Sequence, residues 1–145
     1  MNNTRLKELR ELEFLRQQDI ADILKVSRST YSTWEIGIKI IPLKHLNTLA
    51  NYYNMSMDYI LGLTKKKTKY KKLKSLDKRI IGNNIKKLRN DKHLSLRNLA
   101  KVLNTTSSTI SAYETGKTLL LTAFAIELAN KYHISIDLLC GKEKI

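Results

Sequence analysis

Displacing the chain by 79 positions lays residues 6–62 on residues 85–141 without a gap. Identical pairs include Leu9/Leu88, Arg10/Arg89, Ala21/Ala100, Ser29/Ser108, Thr30/Thr109, Glu35/Glu114, Gly37/Gly116, Asn51/Asn130, Ser56/Ser135, Asp58/Asp137 and Gly62/Gly141. Others are conservative, among them Ile20/Leu99, Ile23/Val102 and Trp34/Tyr113. Agreement that gathers at glycine, alanine and helix-capping residues marks two copies of one fold. The predicted organisation is therefore a first domain over 5–63, a linker over 64–79 and a second domain over 80–142. Each copy, at about sixty residues, is close to the smallest size at which a domain holds its own core.

Within a copy the apolar spacing is helical. Leu6, Leu9, Leu12 and Leu15 recur every third residue, and Ile20, Ala21, Ile23 and Leu24 open a second helix near Gln17. Ser27 reads as the N-cap of a third helix that runs to Glu35 and is stopped by Gly37. Leu43, Leu46, Leu49, Ala50 and Tyr53 mark a fourth, and Ser56 caps a short fifth before Gly62. The second copy repeats the pattern, with Gly116 and Gly141 as stops, and no segment alternates with period two for long enough to form a sheet. The fold class expected is all-α: two tandem five-helix domains joined by a basic linker.

The chain carries 27 Lys and Arg against 13 Asp and Glu, a net charge of +14, unevenly spread. Residues 1–62 hold 8 basic and 7 acidic residues, 63–80 hold 9 and 1, and 81–145 hold 10 and 5. A chain this basic suits a polyanion: DNA, RNA or an anionic membrane surface. No apolar run reaches the ~18 residues of a membrane span and the first residues have no signal-peptide core, so a cytoplasmic protein without a membrane partner is expected. Cys140 is the only cysteine, which removes intrachain disulfides and paired-cysteine metal sites and leaves it as a small core residue. His45, His93 and His133 stand apart from any carboxylate partner in sequence. No nucleophile elbow or phosphate-cradling glycine loop is present. Neither catalytic residues, nor a metal, nor a cofactor is expected.

A helix near Gln17–Leu24, a three-residue turn and a helix from Ser27 to Glu35 make a helix-turn-helix, whose second helix can enter the DNA major groove. Here the sequence resembles the Cro/phage-repressor (XRE) family, in Arg10, residues 17–37 (QQDIADILKVSRSTYSTWEIG) and 54–62 (NMSMDYILG). In the second copy the matching residues are Arg89, 96–116 (LRNLAKVLNTTSSTISAYETG) and 133–141 (HISIDLLCG). The resemblance implies a lambda-repressor-like fold, binding to double-stranded DNA and a role in transcription, most simply as a repressor.

It also implies roles, position by position. Ala21 and Ala100 match the small residue that lets the two motif helices approach, and Val26, Tyr31 and Trp34 match core positions. Arg10 with Glu35, and Arg89 with Glu114, match a structural ion pair. Gln17 matches a phosphate-contacting position, assisted by Gln18. Arg28, Ser29 and Thr33 match the base-facing positions, with Thr30 and Ser32 nearer the backbone, and Lys39 and Lys44 meet phosphate after the recognition helix. In the second copy the corresponding DNA-binding set is Arg97, Ser107, Ser108, Thr109, Ser111, Ala112 and Lys117. Arg28 stands out because a guanidinium can bond O6 and N7 of one guanine. The second copy has no long donor on this face, which fits it for phosphate anchoring or for service as a dimerisation module.

The linker holds Lys65, Lys66, Lys67, Lys69, Lys71, Lys72 and Lys74. Read as a flexible tether it extends to ~40 Å, enough to join two major-groove faces about 34 Å apart, with its lysines on phosphate. Two loops are unusually apolar for DNA contact, Ile36, Ile38, Ile40 and Ile41 in one copy and Leu119–Leu121 in the other. These point partly to core and partly to a subunit or domain interface. An antitoxin or immunity-type regulator with a protein partner, and a homodimer, stay open beside the simple regulator. An RNA-binding or membrane-surface role has less support, because the lysines lack interleaved stacking aromatics or an apolar helix face.

Overall fold

A computed structural model describes residues 4–145. The first half is built from α1 (Leu6–Leu12), α2 (Gln17–Leu24), α3 (Arg28–Ile36), α4 (Leu43–Tyr53) and α5 (Met57–Ile60). The second is built from α6 (Lys78–Asp91), α7 (Leu96–Val102), α8 (Ser107–Glu114), α9 (Thr122–Tyr132) and α10 (Ile136–Leu139). The expected all-α pair of five-helix units is what forms. Among the described residues the only extended pairing is a single antiparallel bridge between Tyr70 and Lys144. No helix among them is long and apolar enough to cross a membrane.

Many of the helices start where short polar side chains replace the missing backbone acceptors. Ser27 accepts from Thr30 N at the start of α3, Ser56 from Tyr59 N at α5, Thr106 from Thr109 N at α8 and Ser135 from Leu138 N at α10. Asp77 accepts from Arg79 N, so α6 begins at Lys78, just ahead of the boundary read from the repeat. The turns are as well preserved as the caps. Three non-glycine residues of each copy take left-handed backbone at matching positions: Phe14 and His93, Lys25 and Asn104, Asn54 and His133. Residue identity differs at all three pairs, so the turn geometry is held by the helices on either side and not by the turn residue.

Each half buries the apolar face its spacing predicts. Leu6, Leu9, Ile20, Ala21, Tyr31, Trp34, Leu46 and Leu49 fill the first, and Ile81, Ile85, Leu99, Ala100, Ile110, Tyr113, Ala125 and Leu128 the second. In the second half α6 runs against α8 so closely that a Cβ on Gly82 would lie 2.2 Å from the Tyr113 carbonyl oxygen. Only glycine fits at that crossing. Cys140 is buried as expected, and burial pushes its thiol up to about 12, out of reach of thiolate chemistry at neutral pH.

The two halves do not hang apart on a tether. α5 and α10 meet at their N-terminal ends, where backbone N–H groups have no partner inside the helix. Asp137 accepts from Met57 N at 2.9 Å and Asp58 N at 3.1 Å, and Asp58 accepts from Ile136 N at 2.9 Å. Position 57 corresponds to 136 and 58 to 137, so each helix caps the other, the reciprocity of a two-fold interface inside one chain. Both carboxylates are buried, and the one lysine beside them, Lys142, lies 3.4 Å from Asp137. Its counterpart in the first copy is Leu63, so the matching place beside Asp58 holds no cation. Burial, added to by the Asp137 charge and opposed by hydrogen bonds from Ser135 and Ile136, pushes the Asp58 carboxyl up to about 6.

The linker follows from the same interface, and here the expectation of a freely extending tether is corrected. Leu73 O accepts from the side chains of Asn47 and Asn51, Lys71 N donates to Glu143 O, Ile145 N to Lys69 O, and the Tyr70 hydroxyl lies 3.1 Å from Ser135 Oγ. The backbone is docked along α4 and the chain's last residues, while all seven lysines are exposed, Lys69 Nζ donating to Asn54 O at 2.6 Å. A span of two distant sites by stretching would break these bonds.

Candidate nucleic-acid interface

The turn between α2 and α3 is Lys25, Val26 and Ser27, and it sets α3 across the surface with one face inward and one out. Tyr31 and Trp34 are buried, and Val26 packs partly against the same core. Arg28, Ser29 and Thr30 are exposed at the N-terminal end, with Ser32 and Thr33 half-buried behind them. The hydroxyls are partly engaged with one another. Ser27 Oγ donates to Thr30 Oγ1 and Thr33 Oγ1 donates to Thr30 O, which fixes these short side chains locally and leaves Arg28 as the long donor.

Arg28 is anchored through three residues. Arg10 holds Glu35 with a bidentate pair, Nε to Oε2 at 2.7 Å and Nη2 to Oε1 at 3.0 Å, and its remaining nitrogen donates to Leu15 O. Burial alone would raise the Glu35 carboxyl, but hydrogen bonds from Arg10, Tyr31 and Gln17 outweigh it and hold the group below its ordinary range. Gln17 Nε2 donates to Glu35 Oε1 at 3.1 Å, so the amide must turn its oxygen outward, where Arg28 Nη1 donates to it at 3.2 Å. A buried ion pair thus reaches the surface and aims the guanidinium. Sequence reasoning paired Arg10 with Glu35 but gave Gln17 only a phosphate-contacting role. The link to Arg28 was missed because its signal, a glutamine opening α2 and an arginine opening α3, lies eleven residues apart with no periodic pattern.

The second copy keeps the ion pair and stops there. Arg89 meets Glu114 at 2.7 and 3.0 Å and donates to Leu94 O, a repeat of the first copy's bonds. Leu96 stands where Gln17 does and packs partly on the core, and Ser107 stands where Arg28 does. What α8 presents is short: Ser108 exposed, with Ser107, Thr109, Ser111 and Ala112 half-buried and the Thr109 hydroxyl 3.0 Å from that of Thr106.

Around these helices lie Gln18, whose amide donates to Asp22, and the exposed cations Lys39, Lys44, Arg97 and Lys117. The apolar loops divide as expected between core and surface. Ile41 and Leu120 are buried, whereas Ile36, Ile38 and Ile40 are 62%, 70% and 51% exposed and Leu121 is 57% exposed.

Two stretches of the chain, residues 6–60 and 85–139, match the model of the family described as Helix-turn-helix, in the register of the internal repeat. The chain belongs to that family, as a tandem pair of the XRE type. Among curated relatives, the uncharacterized HTH-type transcriptional regulator YobD of Bacillus subtilis (strain 168) is 40% identical over 60 residues, covering 41% of this chain and 54% of that protein. The HTH-type transcriptional regulator AnsR of the same organism is 37% identical over 67 residues, covering 46% of this chain and 58% of that protein. The uncharacterized HTH-type transcriptional regulator YqaE, also of that organism, is 34% identical over 61 residues, or 42% and 53% of the two chains. The chain thus spans little more than half the length of the curated relatives it matches. No solved structure matches it.

Proposed function

We propose that the protein is a non-enzymatic regulator of transcription, acting as a repressor, that binds double-stranded DNA and reads sequence with α3. The observation that carries this reading is the outward-facing Arg28, aimed by Gln17 from the buried Arg10–Glu35 pair. A donor held in advance loses little freedom on meeting a base, and a bidentate contact to guanine discriminates by ~1 to 3 kcal/mol. The basic charge, and relatives described as HTH-type transcriptional regulators, support the same reading. Because α5 and α10 pair within the chain, one molecule presents two helix-turn-helix units without a second copy.

The test compares Arg28→Ala with the native chain on a selected site and on random duplex. Affinity for the selected site falls by about 10- to 100-fold while affinity for random duplex changes little. Equal losses on both would reduce Arg28 to a phosphate contact and remove the basis for sequence reading by α3.

A further inference from the structure

The repeat gives each surface groove of one half a counterpart in the other, and in one such pair the two are filled differently. On one side the linker from Thr68 to Lys72 runs past Asn51, Asn54, Met55 and Lys142. A step further along, the Leu73 carbonyl accepts from Asn47 Nδ2 at 3.0 Å and Asn51 Nδ2 at 2.8 Å. The repeat takes Asn47 and Asn51 to Ile126 and Asn130, and Lys142 to Leu63. Those three residues line a groove with Ile40, Ile41 and Leu61, and there about 210 Å³ stays open among the described residues.

We propose that this second groove binds an extended peptide segment of another protein, neutral or acidic, with one leucine-sized side chain against Ile41, Leu61 and Ile126 and one backbone carbonyl on Asn130 Nδ2. The filled groove shows what its counterpart accepts: extended backbone, with a carbonyl turned toward the asparagine on the central helix. Asn130 is the same residue as Asn51, but it is exposed where Asn51 is half-buried against the linker. Ile126 replaces the other amide donor, Asn47, so this groove keeps one hydrogen bond and gains apolar wall. The size agrees, since a cavity of about 150 Å³ takes a benzene, and a leucine side chain with its peptide unit is somewhat larger. Lys39 on the wall, in a chain of net charge +14, disfavours a second lysine-rich segment such as the linker. The exposed Ile40 at this rim is among the isoleucines that pure DNA contact left without a role. None of this depends on DNA binding.

The experiment is a titration of the isotope-labelled full chain with the blocked peptide acetyl-Asp-Leu-Ser-amide, followed by NMR. The expected result is a saturable shift of the Trp34 indole and Asn130 side-chain amide signals, Trp34 being the chain's single tryptophan and part of the groove wall. Replacing the peptide's leucine by alanine, or Asn130→Ala in the protein, weakens binding by about tenfold. Asn130 is a surface residue, so that variant folds. Absence of a saturable shift overturns the proposal, as does an Asn130→Ala variant that binds equally well. Equal binding of 3-methylbutanol at the same signals overturns it in favour of a cavity for small apolar molecules. Concentration-dependent self-association that shifts the Asn130 side-chain amide without added peptide would make the occupant a second copy, and would also overturn it.

Discussion

α3 and α8 each start on a hydroxyl N-cap, Ser27 and Thr106, follow turns of the same geometry and carry the same arginine–glutamate pair, yet they hold out different chemistry. In α3 the ion pair continues through Gln17 to Arg28 at the surface. In α8 the same pair ends beneath Leu96, and the surface carries hydroxyls and a methyl. The lesson is that fold and reading are separately encoded in this protein. The ion pair is identical and the core stays apolar in both copies, while two positions, 17/96 and 28/107, decide whether a helix holds a long donor in place.

The largest effect that sharpens the comparison comes from the shared part. Glu35→Ala and Glu114→Ala each strand a half-buried arginine and lower unfolding free energy by about 2–4 kcal/mol, read as urea midpoints. Under conditions where both variants stay folded, only Glu35→Ala lowers preference for the selected site, because only that carboxylate orients Gln17. If Glu114→Ala lowers it equally, the two helices read alike.

A second asymmetry is electrostatic. Asp137 has Lys142 beside it and Asp58 has the apolar Leu63 in the matching place, and burial, with the Asp137 charge added, pushes the Asp58 carboxyl up to about 6. A carboxyl raised above its unfolded value of about 4 favours the folded state fully only below that value, and its contribution is lost as pH rises through 6. Asp58→Asn keeps an acceptor for Ile136 N and removes the charge, so it stabilises the chain at pH 7 by roughly 1–3 kcal/mol relative to the native protein. The gain shrinks below pH 6 and vanishes near 4. Midpoints of denaturation across that range check it, and a gain independent of pH would contradict the account.

The smaller effect is a transplant. Leu96→Gln together with Ser107→Arg rebuilds the relay on Glu114 and adds about 1–3 kcal/mol of base discrimination to the second unit, measured with duplexes varied only in its half of the site. No change would mean that α8 does not reach base edges at all.

Much of this was legible in the sequence, and the reason differs by feature. The repeat, the caps at Ser27 and Ser56 and the stop at Gly37 are local, so periodicity and residue type suffice. The ion pairs were legible through the family resemblance. The docking of the linker was not, because its anchors are the backbone carbonyls of Leu73, Glu143 and Lys69, which every residue possesses. The clasp between α5 and α10 left only the identity of Asp58 with Asp137 as a trace, and helical spacing cannot tell whether an N-terminal aspartate serves its own helix or another. Gln17 was visible as a site residue, but its partners on both sides depend on how α1, α2 and α3 cross.

The most direct measurement is selection of bound duplexes from a random pool, with the stoichiometry of the selected complex determined in solution. The account predicts one chain per site and two adjoining segments of unequal information, one sharply specified and including a guanine that Arg28→Ala releases, the other weakly specified. A palindrome with two equally specified halves, bound by two chains, would contradict it.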